Sequence, residues 1–207
     1  MGDAGGVKNM NENIIRRSIF AAATNWLDWQ EDYEFTGDIH QLPLLADEYR
    51  YVRFLKEYRP FHQRASREVA LKVRDFLMAT TFLESAVEDP SGRELERLAK
   101  SIAEDFPEIG TPRSVLSKIA MFWNPERFSP WDRFARAGMA NHHGRTDGGR
   151  YPGGYPTYLA DVREVWDGSL GSEILNLMEA GRQILPRCDQ AFGLRVLDVY
   201  LMKIGGR

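Results

Sequence analysis

The 207-residue sequence predicts an all-α protein. Three observations predict it. Apolar residues recur at i, i+3/i+4 and i+7 in segment after segment. Cap residues and prolines stand where helices would begin and end. No sustained period-2 run, internal repeat or low-complexity tract interrupts the pattern.

Taken in order, residues 1–10 read as a flexible N-terminus and 11–207 as a single helical domain. Asn11–Gln30 has helical spacing, with Ile14, Ile15, Ile19, Phe20, Trp26, Leu27 and Trp29 as its expected core. Glu31–Leu45, with Gly37 and Pro43, reads as irregular, and a helix follows to Tyr58, where Arg59-Pro60 ends it. Gln63–Leu83 is the next helix, with Val69, Ala70, Val73, Phe76, Leu77 and Phe82 at helical spacing. Ser91-Gly92-Arg93-Glu94 reads as a capping box that opens a helix to Asp105.

The segment Gly110–Met139 reads as helix, tight turn, helix. Thr111 is placed to cap the first, with Pro112 at a position where its missing N–H has no partner to lose. Val115, Leu116, Ile119, Phe122 and Trp123 form its apolar stripe, and Asn124-Pro125 breaks it. Ser129 and Pro130 repeat the cap-plus-proline start, which puts Asp132 in the first turn of the second helix. A carboxylate there faces the positive end of the helix dipole and free backbone N–H groups, both of which favour the anion.

Beyond Met139 runs a glycine-rich loop through Pro156. Its His142, His143, Arg145 and Arg150, with Tyr151 and Tyr155, suit phosphate contact and aromatic stacking; a solvated connector is the plainer reading. Helices over Thr157–Trp166, Gly171–Ile184 and Gly193–Ile204 complete the chain. The last buries Leu194, Leu197, Tyr200 and Leu201 as its C-terminal closure.

Hydrophobic residues make up 43% of the chain and aromatics 12%, the composition of a globular protein rather than a disordered one. One cysteine, Cys188, excludes an internal disulfide and a CxxC zinc pair, and points to the cytoplasm. No apolar run approaches a membrane span, and the start MGDAGG does not read as a signal peptide. A monomer without membrane attachment is expected.

The net charge of −3 argues by itself against nucleic acid, but its distribution does not. Residues 1–110 carry 14 basic and 20 acidic side chains, 111–150 carry 7 and 3, and 151–207 carry 6 and 7. The positive stretch coincides with the helix–turn–helix segment and its following loop. Phosphates respond to local potential more than to total charge, so such a chain is compatible with a DNA partner.

Over Gly110–Arg136 the residues resemble the helix–hairpin–helix DNA glycosylases, the superfamily that includes endonuclease III, adenine glycosylase and 8-oxoguanine glycosylase. Their hairpin begins Leu-Pro-Gly-Val-Gly, continues through an Arg and a Lys or Ser, and reaches a catalytic Asp at the start of the next helix. Without a gap, Gly110 falls on the first hairpin glycine, Arg113 on the Arg, Ser114 on the Lys/Ser position and Asp132 on the aspartate. Phe128 resembles the Phe of the adenine glycosylases' Phe-Pro-Ile-Leu-Asp, and Leu197–Leu201 resembles a closing Leu-Asp-x-x-Leu helix. The resemblance covers about 30 residues and implies a helix–hairpin–helix DNA glycosylase-like bundle, with the hairpin core over about 106–140.

It also implies roles. Asp132 would be catalytic, and Gly110, Arg113 and Ser114 would meet DNA; the basic stretch around them adds Thr111, Arg133, Arg136, His142, His143, Arg145 and Arg150 as candidate DNA contacts by their own chemistry. Trp26, Trp29, Trp123 and Trp131 are candidates for a base pocket, since the target base must leave the stack. The departures have consequences: Pro112 replaces the second hairpin glycine, and Glu108 and Ile109 replace Leu-Pro. Ser114 stands where bifunctional members keep a Schiff-base Lys, which implies a monofunctional enzyme. Lys118, one turn on from Ser114 and on the same helix face, is the candidate substitute amine.

Breaking an N-glycosidic bond leaves positive charge on the sugar, and a nearby carboxylate stabilises that charge or activates a water. Removal of a damaged or modified base fits, in repair or in defence against modified phage DNA. Two other classes compete: a DNA-binding module that keeps the hairpin without chemistry, and a metal hydrolase built on His142, His143 and Asp147. Adjacent histidines diverge and match no metal-ligand spacing, so no metal or other cofactor is expected.

Overall fold

A computed structural model describes residues 4–33, 42–58, 67–79 and 82–206; the side chains of 4–10, 29–33, 57, 58 and 82 also lie outside the description. Eleven helices and no strand occur among the described residues, so the chain is all-α. It divides into two compact units, each assembled from separated segments.

The first unit comprises residues 1–28, 132–150 and 161–207. Helix α1 (Ala4–Tyr33) contributes its residues through Asp28 and begins seven residues ahead of the expected start at Asn11. Ile15, Ile19, Ala22 and Trp26 lie on its buried face. Phe20 and Leu27, expected as core, are instead 63% and 57% exposed. Each follows a buried residue by one, and a 100° step carries it off a single buried stripe.

Helix α8 (Arg133–His142) packs on α11 (Gln190–Ile204). A Cβ at Gly138 would lie 1.9 Å from the Leu201 carbonyl oxygen, and one at Gly205 would lie 1.9 Å from that of Phe134. Asn141 Nδ2 donates to the Ile204 carbonyl at 2.8 Å. Glycine is what lets these backbones meet so closely. Helix α10 (Ser169–Ala180) ends four residues before the expected Ile184. Asp189, which sequence reading passed over, caps α11 by accepting the Phe192 N–H at 3.0 Å.

The second unit comprises residues 29–131 and 151–160. Its helices are α2 (Pro43–Ala46), α3 (Glu48–Tyr58), α4 (Arg67–Ala79), α5 (Phe82–Glu88), α6 (Arg93–Asp105) and α7 (Arg113–Trp123). The first residues of α9 (Tyr155–Asp167) also belong to it. The expected single helix Gln63–Leu83 is thus divided between α4 and α5, with 63–66, 80 and 81 outside the described residues. The break at Arg59-Pro60 and most of the stretch expected as irregular, 34–41, also fall outside them.

Phe54 meets Phe122 edge-on at 6.1 Å, and Phe76 meets Phe106 at 6.2 Å. The Arg74 guanidinium reaches back to the Leu45 and Ala46 carbonyls at 2.8 and 3.1 Å, satisfying the end of α2. The capping box expected over Ser91–Glu94 is replaced by an aspartate. Asp89 accepts from Ser91 N, Ser91 Oγ and Glu94 N at 2.7–3.0 Å, while Gly92 takes the N-cap position at φ +75°. Burial raises the Asp89 carboxyl's pKa, but the bonds from Glu94, Ser91 and Arg93 bring it below its ordinary value.

No helix among the described residues is long and apolar enough to cross a membrane.

Candidate functional site

In the second unit, α6 and α7 are joined by a tight connection. A 3-10 turn over Pro107–Ile109 leads to Gly110, whose φ of +61° is a left-handed value that a side chain would resist. The glycine placed on the first hairpin position therefore does turn the chain. Thr111 does not cap α7: Pro112 holds the N-cap position, and the Arg113 N–H folds back on the Thr111 carbonyl at 2.9 Å.

Arg113, expected to meet DNA, points inward. Its guanidinium grips the Glu96 carboxylate of α6 at 2.5 and 2.7 Å. The Glu96 side chain is 9% exposed and that of Arg113 27%. Glu96 also accepts the Tyr155 N–H at 3.2 Å. Burial raises this carboxyl's pKa, yet the Arg113 bonds, the Tyr155 N–H and the charges of Arg113 and Lys100 lower it further, to a net value below the ordinary 4.5. A cation bound in this way ties α7 to α6.

Lys118 and Ser114 do share a face of α7: Lys118 Nζ donates to Ser114 Oγ at 2.8 Å. The lysine is buried, contrary to a surface role, and Ser114 is half-buried. Ser117, also buried, accepts the Trp131 N–H at 2.8 Å.

Trp131 is half-buried among the edges of Tyr151, Tyr155 and Tyr158, with centroids 5.5–6.2 Å away. The Arg113 guanidinium lies 5.7 Å from its ring centre. Tyr151 and Tyr155, expected as exposed stacking platforms, are buried in this cluster. Trp123 is half-buried and tilted against Phe128 at 6.4 Å.

In the first unit, Asp132 is the N-cap of α8 rather than a first-turn residue. Its Oδ1 accepts from Phe134 N at 2.8 Å and from Ala135 N at 3.4 Å. Oδ2 accepts no hydrogen bond among the described residues, and the side chain is half-buried. Ser129 and Pro130, expected as the cap and first helical residue, are buried ahead of the helix.

The loop after α8 has a defined shape. Asp147 Oδ1 accepts the Gly149 N–H at 3.1 Å, and Arg136 donates to the Gly149 carbonyl at 3.0 Å. Gly149, at φ +80°, lies so close to Arg136 and Ala137 that a Cβ would meet their backbone at 2.6–2.7 Å. Arg145 pairs with Asp161 at 3.3 Å. Arg136 and Arg145 thus hold the loop, which accounts for two of the expected DNA contacts differently.

Arg133 is exposed, with its guanidinium 4.4 Å from the Phe134 ring centre, and Arg150 is exposed. His142 and His143 are exposed with ring centroids 5.3 Å apart. Burial and His143 hold the His142 imidazole below its ordinary value of 6.5.

Trp26, a base-pocket candidate, is fully buried with its ring 5.6 Å from Phe192 and the Arg187 guanidinium 5.3 Å away. It is core and offers no face to a base. The Trp29 side chain lies outside the described residues. No group of three His, Cys, Asp or Glu side chains among the described residues is placed to hold a metal, His142, His143 and Asp147 included.

Sequence reading missed Glu96, Ser117 and Asp89. Glu96 is one charge among many on a polar helix, and its partner is 17 residues away; nothing local marks it. Comparison with known proteins returns no match: no family model fits the chain, and no curated protein or solved structure is significantly similar to it.

Proposed function

We propose that the chain is a monofunctional DNA glycosylase of the helix–hairpin–helix kind, which hydrolyses the N-glycosidic bond of a damaged or modified base and leaves an abasic site. The observation that carries this reading is the division of labour within Asp132. One oxygen is fixed by the start of α8 while the other accepts nothing among the described residues. That leaves Oδ2 available to a substrate while Oδ1 keeps the cap of α8.

In this reading Asp132 Oδ2 faces the anomeric carbon of a nucleotide turned out of the duplex. The C1′–N bond breaks, and its electron pair leaves with the base, which takes up a proton. The carboxylate stabilises the cationic sugar and accepts a proton from the water that bonds to C1′. Such a group is worth roughly 10²–10⁴ in rate. The turn at Gly110, exposed Arg133 and Arg150, and the basic balance of residues 111–150 support DNA as the partner. The inward turn of Arg113 favours weak hairpin contacts over a tight phosphate grip.

Abasic-site formation on duplex DNA carrying altered bases tests the proposal. Wild type is expected to form sites and Asp132→Asn to form none while still binding. Binding without excision by both proteins would identify a DNA-binding module instead. Strands should stay intact until base or amine is added; borohydride trapping of DNA on Lys118 would overturn the monofunctional part.

A further inference from the structure

The outer face of α1 keeps two large apolar side chains in water: Phe20 is 63% exposed and Leu27 57%. With about 100° of rotation per residue, positions seven apart fall within about 20° of one another, so the two lie in one line. A second line runs beside it on the same face. Arg17 and Asp28, eleven apart and again within about 20° of one another, are both exposed and form no ion pair among the described residues. The neighbouring cation, Arg16, is instead taken by Glu12 at 2.7 Å. Thr24 stands between the two lines, its hydroxyl already donating to the Phe20 carbonyl at 3.1 Å.

The order of these groups along the helix selects a partner. Phe20 and Leu27 are centred between Ala23 and Thr24, and Arg17 and Asp28 between Ala22 and Ala23, about 1.5 Å away. A second α1 laid antiparallel about that centre sets Phe20 against the other copy's Leu27 twice, and Arg17 against its Asp28 twice. The two-fold axis keeps each line on its own side, so apolar meets apolar and charge meets opposite charge. A parallel helix would set Arg17 beside Arg17 and Asp28 beside Asp28. We infer that α1 is a self-association surface through which two copies of this chain pair antiparallel. Pairing removes from water the apolar surface that one copy leaves exposed. One helix pair buries less than a stable complex does, so the dimer is weak, with a dissociation constant on the order of 10–100 µM. It departs from the monomer expected from the sequence and does not rest on the glycosylase reading.

Sedimentation equilibrium of the full chain at low salt, from about 5 to 500 µM, tests it. Wild type should pass from monomer to dimer over that range, and Phe20→Glu should stay monomeric. Should Phe20→Glu fail to fold, Leu27→Lys takes its place with the same expected loss. Arg17→Glu and Asp28→Arg should each weaken pairing about 10-fold, and the double variant should regain it to within about threefold. A wild type that stays monomeric throughout overturns the inference. So does a dimer that Phe20→Glu leaves intact, or a double variant no tighter than the single ones. A monomer that sediments with anionic lipid vesicles through Phe20 overturns it in favour of a membrane surface.

Discussion

Aspartates that open helices commonly satisfy backbone N–H groups with one oxygen, as Asp189 does at Phe192. Asp132 does the same at Phe134 and Ala135, and its local sequence, a proline two residues before an acid, was enough to find it. The Ser129-Pro130 pair mimics a helix start and puts Asp132 three positions into the helix, whereas α8 begins at Arg133 with Asp132 as its N-cap. Glu96 shows the opposite case. Its partner is distant in sequence, so a buried ion pair looked like a surface charge and Arg113 looked like a phosphate contact. The pair also makes a pH prediction. The Glu96 carboxyl is more acidic in the fold than its ordinary 4.5, so the unfolded chain binds the proton more readily. Its stabilisation is therefore present above about 4.5 and is lost as pH falls through the lower folded value. Thermal melts should show Glu96→Gln less stable than wild type by roughly 3 kcal/mol near neutrality, with the gap closing on acidification below about pH 4.5. A gap that persists at low pH would remove the ion pair from the explanation.

Among the elements, amphipathic period located most helices because a one-faced stripe is a local property. Helices α3, α6 and α7 begin or end within a residue or two of the expected positions. What period cannot show is which stripe finds a partner. Phe20 and Leu27 on α1 illustrate this, since both fit a generous helical stripe and both are exposed. Glycines mid-helix were equally silent. Gly138 is needed because α11 comes so near, and nothing in the local sequence announces it. Alanine there gains about 1 kcal/mol of helix propensity but sets a Cβ 1.9 Å from the Leu201 carbonyl. The clash wins, so Gly138→Ala should lower stability by about 2 kcal/mol net. An unchanged or raised melting temperature would contradict the packing described for α8 and α11.

At the scale of the whole molecule, the basic stretch 111–150 promised more free charge than the structure leaves. Arg113 is paired with Glu96, Arg145 with Asp161, and Arg136 is bound to a loop carbonyl. Charge balance along a sequence does not reveal such pairings. Arg133 and Arg150 remain exposed, and if both meet phosphates, replacing both with alanine should reduce the slope of log affinity against log salt by about 2. Anisotropy titrations over a range of salt concentrations measure this, and an unchanged slope would move the DNA contact elsewhere.

The central claim is that Asp132 drives hydrolysis at a nucleoside sugar. It is tested most directly by mass spectrometry of the free bases released from normal, damaged and phage-modified duplexes by wild type and by Asp132→Asn. Asparagine can still cap α8, so the comparison isolates the charge. The account predicts a specific free base with wild type and none with the variant. No free base from any duplex, or equal release by the variant, would contradict it.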